Sequence, residues 1–336
     1  MSVNVAINGF GRIGRAAFKI ILAEHPELKI VAINDLTDNE TLAHLLQHDS
    51  CYGLYPQTIK GDAQGLVVGG KRYNVFSEKD PSLLPWKKLN VDVVLECTGR
   101  FRDKDSASAH LQAGAKKVII SAPAKGKGIK TIVIGVNDKQ LKAGDNIVSN
   151  ASCTTNCLAP VMAVIKEKFG VKKAMMTTIH SYTADQNLVD GPHKDLRRAR
   201  AAAMNIVPTT TGAAIAVTET IPSLKDKFDG LAVRVPTPVA SLCDIVCVTV
   251  KKVTAEKVNA AFVAAAKGKL KGILDASDEE LVSTDIIADS HSSVVDLKNT
   301  KVVAGDLLKV VAWYDNEWAY SCRMADLAAQ IGKFIK

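Results

Sequence analysis

The chain has no Cys-x-x-Cys pair, few aromatic residues (5%), no low-complexity tract and no long stretch free of both charge and polar breaks. Each absence excludes something. Two Cys-x-x-x-Cys pairs, 153/157 and 243/247, lack partner His or Cys ligands at zinc-site spacing, so no metal site is expected. The cysteines are odd in number, seven, and the N-terminal residues lack the basic flank and apolar run of a secretion signal. A disulfide framework is therefore not expected, and a cytoplasmic location is. Residues 147–165 and 201–218 carry no formal charge, but Ser, Asn, Thr and Pro interrupt both, and neither reads as a membrane span. Lysine doublets (87–88, 116–117, 172–173, 251–252) are scattered, with no aromatic stacking platform beside them, which argues against a nucleic-acid partner.

What is present is the composition of a globular protein long enough for two cores: 336 residues, 47% hydrophobic, with a net charge of +8 that suits phosphorylated small molecules. Val3–Asn8 reads as a strand, Gly11 to about Glu24 as an amphipathic helix and Lys29–Asn34 as a second strand, which makes a βαβ unit. Leu66–Val68 and Arg72–Phe76 flank Gly69-Gly70 as a hairpin. Val91–Cys97, Lys117–Ser121 and Thr131–Val136 are apolar, β-rich runs suited to a parallel sheet covered on both faces. Ser106–Ala113 reads as a short helix, with His110 facing solvent. The first 150 residues thus predict one doubly wound, Rossmann-type α/β domain. Beyond them come a helix at 153–169, a strand at Ala174–Ile179, a long irregular stretch at 181–207, strands at 231–235, 239–250 and 307–314, and a helix near 254–267. These predict an α+β domain with a mixed or antiparallel sheet. Asn316–Ile335 predicts a closing helix.

Gly9-Phe10-Gly11-Arg12-Ile13-Gly14 follows a strand and opens a helix, and Asp35 stands 21 residues beyond Gly14 at the end of the next strand. In that setting G-x-G-x-x-G is a dinucleotide fingerprint. The glycines permit a tight turn and close approach of the pyrophosphate, and the helix N-terminus supplies amides and partial positive charge. Asp35 can accept from the ribose hydroxyls and would repel a 2′-phosphate, which favours NAD.

Ser149-Asn-Ala-Ser-Cys153 places a thiol beside good N-cap residues at a predicted helix start, where the dipole lowers a thiol pKa. His180, at the end of a predicted strand, is the best base among seven histidines. Cys51, Cys97, Cys157, Cys243 and Cys247 read as packing residues.

Residues 151–160 (Ala-Ser-Cys-Thr-Thr-Asn-Cys-Leu-Ala-Pro) resemble the signature of the phosphorylating glyceraldehyde-3-phosphate dehydrogenases. The resemblance spans nearly the whole chain, through residues 7–15, 34–35, 96–101, 120–123, 180–183, 208–214, 234–238 and 313–318. It implies that Cys153 attacks glyceraldehyde 3-phosphate and that His180 is its base, with a thiohemiacetal and then a thioester that inorganic phosphate cleaves. It implies further that Thr183 and Arg234 hold the substrate phosphate, and that Ser152, Thr154, Thr211 and Gly212 hold the attacking phosphate. Gly9, Gly11, Arg12, Ile13, Gly14, Asp35, Lys79, Ser121 and Asn316 would contact NAD. Position 79 is often Arg in the family. The resemblance also implies a homotetramer, an NAD-binding domain of residues 1–151 joined by 315–336, and a catalytic domain of 152–314. Rival readings are an erythrose-4-phosphate dehydrogenase on the same scaffold, a Cys–His thiol hydrolase and a non-catalytic NAD-binding scaffold.

Overall fold

The computed structural model describes residues 2–335, which form two compact units: residues 2–132, 139–151 and 321–335, and residues 133–138 with 152–320.

The first unit holds β1 (Val3–Asn8), α1 (Arg12–Glu24), β2 (Leu28–Asn34), α2 (Asn39–Gln47), β3 (His48–Asp49), β4 (Gly53–Leu54), β5 (Ile59–Asp62), β6 (Gly65–Val68), β7 (Lys71–Phe76), β8 (Val93–Glu96), α3 (Lys104–Gln112), β9 (Lys117–Ile120), β10 (Lys130–Thr131) and β11 (Ile147–Ser149). Nine strands make one sheet in the order β10-β11-β9-β8-β1-β2-β7-β6-β5. From β10 to β7 every pair is parallel, and the predicted hairpin pairs Val68 with Lys71. The central strands are apolar because both faces are covered. Val93, Val94 and Leu95 are fully buried, as are Ile7, Phe10 and Phe18. The chain therefore has the expected Rossmann-type architecture.

Two expectations in this unit change. The run predicted as a strand at 131–136 shortens to Lys130–Thr131. Gly135 takes a φ of 82°, and the Val133 amide donates to Asn137 Oδ1 at 2.8 Å, so the backbone turns instead of extending. His110 does not face solvent but is completely buried on α3. Its i−3 neighbour Ala107 is buried as well, so the apolar stripe of α3 is short and includes an imidazole where a pattern reading expects aliphatic carbon.

The second unit holds α4 (Cys153–Phe169), β12 (Val171–Ser181), β13 (Val207–Thr209), α5 (Ala213–Thr220), β14 (Phe228–Val235), β15 (Ser241–Thr249), α6 (Ala255–Lys267), β16 (Leu274–Ser277), β17 (Ser293–Val303) and β18 (Leu307–Tyr314). Its sheet runs β13-β14-β12-β15-β18-β17-β16. β12 and β14 are parallel, β15 is antiparallel to both β12 and β18, and the sheet is mixed as expected. The last helix, α7, spans Trp318–Gly332.

Strand direction and parity place the chemistry. Since β15 opposes both β12 and β18, the strands β12, β14 and β18 all point the same way. Their C-terminal ends carry His180, Arg234 and Tyr314. Along β12 the residues Ala174, Met176, Thr178 and His180 are buried, while Met175 is 64% exposed, which is the period of two of a sheet with one covered face. His180 therefore lies on the covered face, which packs against α4.

Candidate active site

α4 begins at Cys153 because Ser152 caps it. Ser152 is extended (φ −111°, ψ 165°), and its Oγ accepts from the Thr155 amide at 3.1 Å. Cys153 is thus the first helical residue, and its own amide has no intrahelical acceptor. Its Sγ lies 3.5 Å from His180 Nε2. His180 Nδ1 lies 2.7 Å from the Ser181 carbonyl oxygen, which can only accept, so Nδ1 carries the proton and Nε2 is left free to take one from sulfur.

His180 and Arg234 are register partners on adjacent parallel strands. Arg234 donates to the Ser181 carbonyl at 3.0 Å and to Thr183 Oγ1 at 3.2 Å, and its buried Nε has no partner. A half-buried guanidinium beside a hydroxyl, with no carboxylate paired to it among the described residues, is a seat for an anion.

Burial pushes the Cys153 thiol up, while Arg234 and the Thr154 hydroxyl and amide pull it back. The lowering expected from the helix start alone is outweighed. Burial, with Arg234 and Arg198 adding positive charge, pushes His180 down to about 3. Both shifts favour the uncharged forms, and moving one proton between the two groups changes no net charge.

Tyr314, which sequence reasoning passed over, ties the site together. Its hydroxyl lies 2.9 Å from both Thr154 Oγ1 and Thr178 Oγ1, and its ring stands edge-to-face on His180 at 5.9 Å. A tyrosine inside a motif gives no sign of partners 160 residues away. The long segment after β12 is pinned by another unpredicted residue, Arg198. It pairs with Asp185 and donates to Thr209 Oγ1 (3.0 Å) and the Thr210 carbonyl (3.0 Å). Thr211 Oγ1 accepts from the Ala213 amide at the start of α5, and Gly212 is the N-cap. Thr209, Thr210 and Thr211 line a cleft of about 630 Å³ with Asp195 and Arg197.

In the first unit, a cavity of about 600 Å³ opens at the C-terminal edge of the parallel strands. Asn8, Gly9, Gly11, Asn34, Asp35 and Lys79 are among its lining residues. This is where open α/β sheets bind ligands. The residues fit a dinucleotide. Gly9 has a φ of 91°, and a Cβ there would lie 2.7 Å from the Thr98 amide; a Cβ on Gly14 would lie 2.1 Å from the Gly9 carbonyl. Gly11, the N-cap of α1, would direct a Cβ into open space and offers no capping side chain, and a helix N-terminus left open in this way suits an anion. Asp35 accepts from the Phe10 amide (2.7 Å) and the Thr37 amide (2.9 Å) and is held at the cavity wall. Arg12 pairs with Asp49 at 2.7 Å and lies over the Tyr52 ring. Ser121, just past β9, is fixed by its amide to the Glu96 carbonyl. Asn316 belongs to the second unit. Ser241 donates to its Oδ1 at 3.0 Å, which orients the amide and leaves Nδ2 as a donor.

The other cysteines contrast with Cys153. Cys157 and Cys322 are buried, and burial pushes the thiols of Cys97 and Cys247 up to about 12. Cys51 is half-buried.

The Rossmann cavity and the Cys–His pair define the class, a nicotinamide-dinucleotide oxidoreductase. The comparisons narrow it. The glyceraldehyde 3-phosphate dehydrogenase NAD-binding domain model matches residues 3–104, and the C-terminal domain model of the same family matches residues 152–316. The chain is 54% identical to the glyceraldehyde-3-phosphate dehydrogenase of Zymomonas mobilis over 337 aligned positions that cover both chains completely. It is 55% identical to that of Geobacillus stearothermophilus, with 98% of each chain covered, and 55% identical to glyceraldehyde-3-phosphate dehydrogenase 1 of Bacillus subtilis, with 99% covered. The chain belongs to the glyceraldehyde-3-phosphate dehydrogenase family, and NAD is its cofactor.

Proposed function

We propose that the protein oxidises D-glyceraldehyde 3-phosphate to 1,3-bisphosphoglycerate with inorganic phosphate, as a step of glycolysis. The observation that carries this reading is the row of Cys153, His180 and Arg234, which joins a nucleophile at the start of α4 to its base and an anion seat at the ends of two strands. In the proposed mechanism His180 Nε2 takes the thiol proton as sulfur adds to the aldehyde carbon, forming a thiohemiacetal. The Cys153 amide, without an intrahelical acceptor at the helix start, and the imidazolium donate to the oxygen that gains charge. His180 then removes the hydroxyl proton as hydride departs. NAD, when bound, supplies the acceptor for that hydride. The product on Cys153 is a thioester, which conserves the energy of oxidation. An oxygen of inorganic phosphate attacks its carbonyl, the C–S bond breaks, the acyl phosphate leaves, and the Cys153 sulfur takes back the proton held by His180.

Arg234 and Thr183 are assigned to the substrate phosphate. Ser152, Thr154, Thr211 and Gly212 are assigned to the attacking phosphate. Asn316 Nδ2 is assigned to the nicotinamide carboxamide. Gly9, Gly11, Arg12, Ile13, Gly14, Asp35, Lys79 and Ser121 are assigned to the rest of NAD. Residues 1–151 with 315–336 are assigned to cofactor binding and 152–314 to catalysis. The cytoplasm is the proposed location, and a homotetramer the proposed assembly. Mixing enzyme, NAD and glyceraldehyde 3-phosphate without inorganic phosphate tests the mechanism. A 3-phosphoglyceroyl adduct on Cys153, seen by mass spectrometry, is expected, and its absence beside normal turnover would sink the thioester. A higher kcat/KM for erythrose 4-phosphate than for glyceraldehyde 3-phosphate would reassign the substrate.

A further inference from the structure

The parallel sheet of the first unit carries an unusual buried row. Asn34, Asn8 and Glu96 end β2, β1 and β8 as register partners, with exposures of 4%, 1% and 1%. They are joined by side-chain hydrogen bonds, from Asn34 Nδ2 to Asn8 Oδ1 (2.7 Å) and from Asn8 Nδ2 to Glu96 Oε2 (2.5 Å). Beyond Glu96 the chain continues through two fully buried residues. His110 Nε2 lies 3.0 Å from Glu96 Oε2, and Trp86 Nε1 donates to His110 Nδ1 at 3.1 Å.

Every bond in this chain has one possible direction. An indole N–H can only donate, so His110 Nδ1 accepts and Nε2 holds the proton that it gives to Glu96. The Glu78 amide donates to Asn34 Oδ1 at 2.9 Å, which fixes the Asn34 amide and through it that of Asn8. The other carboxylate oxygen, Oε1, accepts from the Thr98 amide at 2.8 Å and from the Thr98 hydroxyl, which itself accepts from the Arg100 amide. Two directed chains and a loop amide thus converge on one carboxylate. All four groups that meet it are donors, and no Lys or Arg pairs with it among the described residues.

The members of this network reach several walls of the dinucleotide cavity. Asn8, Asn34, Glu78 and Thr98 all line it, and they stand at the end of β1, the end of β2, the loop after β7 and the loop after β8. We infer that Glu96, oriented by His110 and Trp86, is a positioning residue for NAD. As the common acceptor beneath the cavity, it fixes these loops at the spacing the cofactor needs. The inference rests on the assignment of this cavity to NAD, and wild-type NAD binding checks that assignment separately.

Glu96→Gln keeps the shape and removes the logic. Its amide group would face donors only, and His110 cannot change tautomer without orphaning the Trp86 N–H. NAD dissociation constants from calorimetry, beside the melting temperature of the nucleotide-free protein, provide the test. In Glu96→Gln the Kd for NAD rises at least about tenfold, and kcat at saturating NAD falls by a smaller factor. Leu66→Val, a fully buried change in the hairpin away from the cavity, lowers the melting temperature but leaves Kd unchanged. A wild-type Kd in Glu96→Gln, or an equal rise in Leu66→Val, would overturn the inference. If Glu96→Gln does not fold, two His110 variants decide. Gln at 110 can still accept from Trp86 and donate to Glu96, whereas Leu can do neither. His110→Gln binds NAD within about twofold of wild type, and His110→Leu at least about fivefold more weakly. Equal affinities in the two would reduce His110 to packing.

Discussion

At the scale of residues, Cys153 is set apart from six other cysteines by what surrounds it. Cys157, its neighbour one turn on, is buried and donates to the Ser293 hydroxyl, whereas Cys153 has an imidazole at 3.5 Å with its far nitrogen locked as a donor. Cys153→Ser is expected to abolish NADH formation while NAD still binds; calorimetric titration beside an activity assay reads both, and substantial residual oxidation would remove Cys153 from the chemistry. His180 adds a pH signature. Its folded pKa of about 3 lies below that of an exposed histidine, so the unfolded chain binds a proton that the folded one refuses. Its effect on stability is nil above about pH 7, and it destabilises the fold progressively as pH falls toward 3. Between pH 7 and pH 5 it removes about 2 kcal/mol. In urea titrations at those two pH values, His180→Asn should lose less stability than wild type by that amount. Cys153, His180, Arg234 and Asp35 were legible because each stands in a short motif whose chemistry is local. Tyr314, Glu96 and His110 were not, because their roles arise from partners 14 to 160 residues away.

At the scale of elements, the α1 start shows how tightly backbone governs the cofactor site. A methyl group on Gly14 would meet the Gly9 carbonyl at 2.1 Å, so Gly14→Ala must push α1 away from the turn that precedes it. Overpacking of this kind costs about 1–3 kcal/mol. The variant is expected to melt earlier and to bind NAD at least about tenfold more weakly, as read by calorimetry; unchanged affinity would mean that the turn does not set the phosphate site. Helices and hairpins with clear caps were read from the sequence nearly to the residue: α4 begins at Cys153 as predicted, since Ser152 and the apolar run after it leave little choice. β17 was missed, since Asp296, Lys298, Asn299 and Lys301 interrupt its apolar pattern. The strand expected at 131–136 failed for the opposite reason, because β-branched residues there were outvoted by Gly135 and the side chain of Asn137.

At the scale of the molecule, the second sheet presents an apolar face that its own helices do not cover. Met175 (64% exposed), Leu231 (43%), Val246 (37%) and Leu307 (39%) line one cavity on it. A contiguous patch of this kind on a folded chain marks an interface, which supports the proposed homotetramer. Sedimentation equilibrium should give about four times the 35.9 kDa chain mass, and Met175→Asp should shift it toward smaller species. A wild-type monomer would contradict that assembly. The central claim is that oxidation is stored on Cys153 as a thioester and released only to phosphate. The measurement that tests it most directly is NADH production from glyceraldehyde 3-phosphate and NAD, with and without inorganic phosphate. With phosphate, turnover continues. Without it, a burst of about one NADH per Cys153 is predicted, followed by arrest, and sustained turnover with no acyl acceptor would contradict the account.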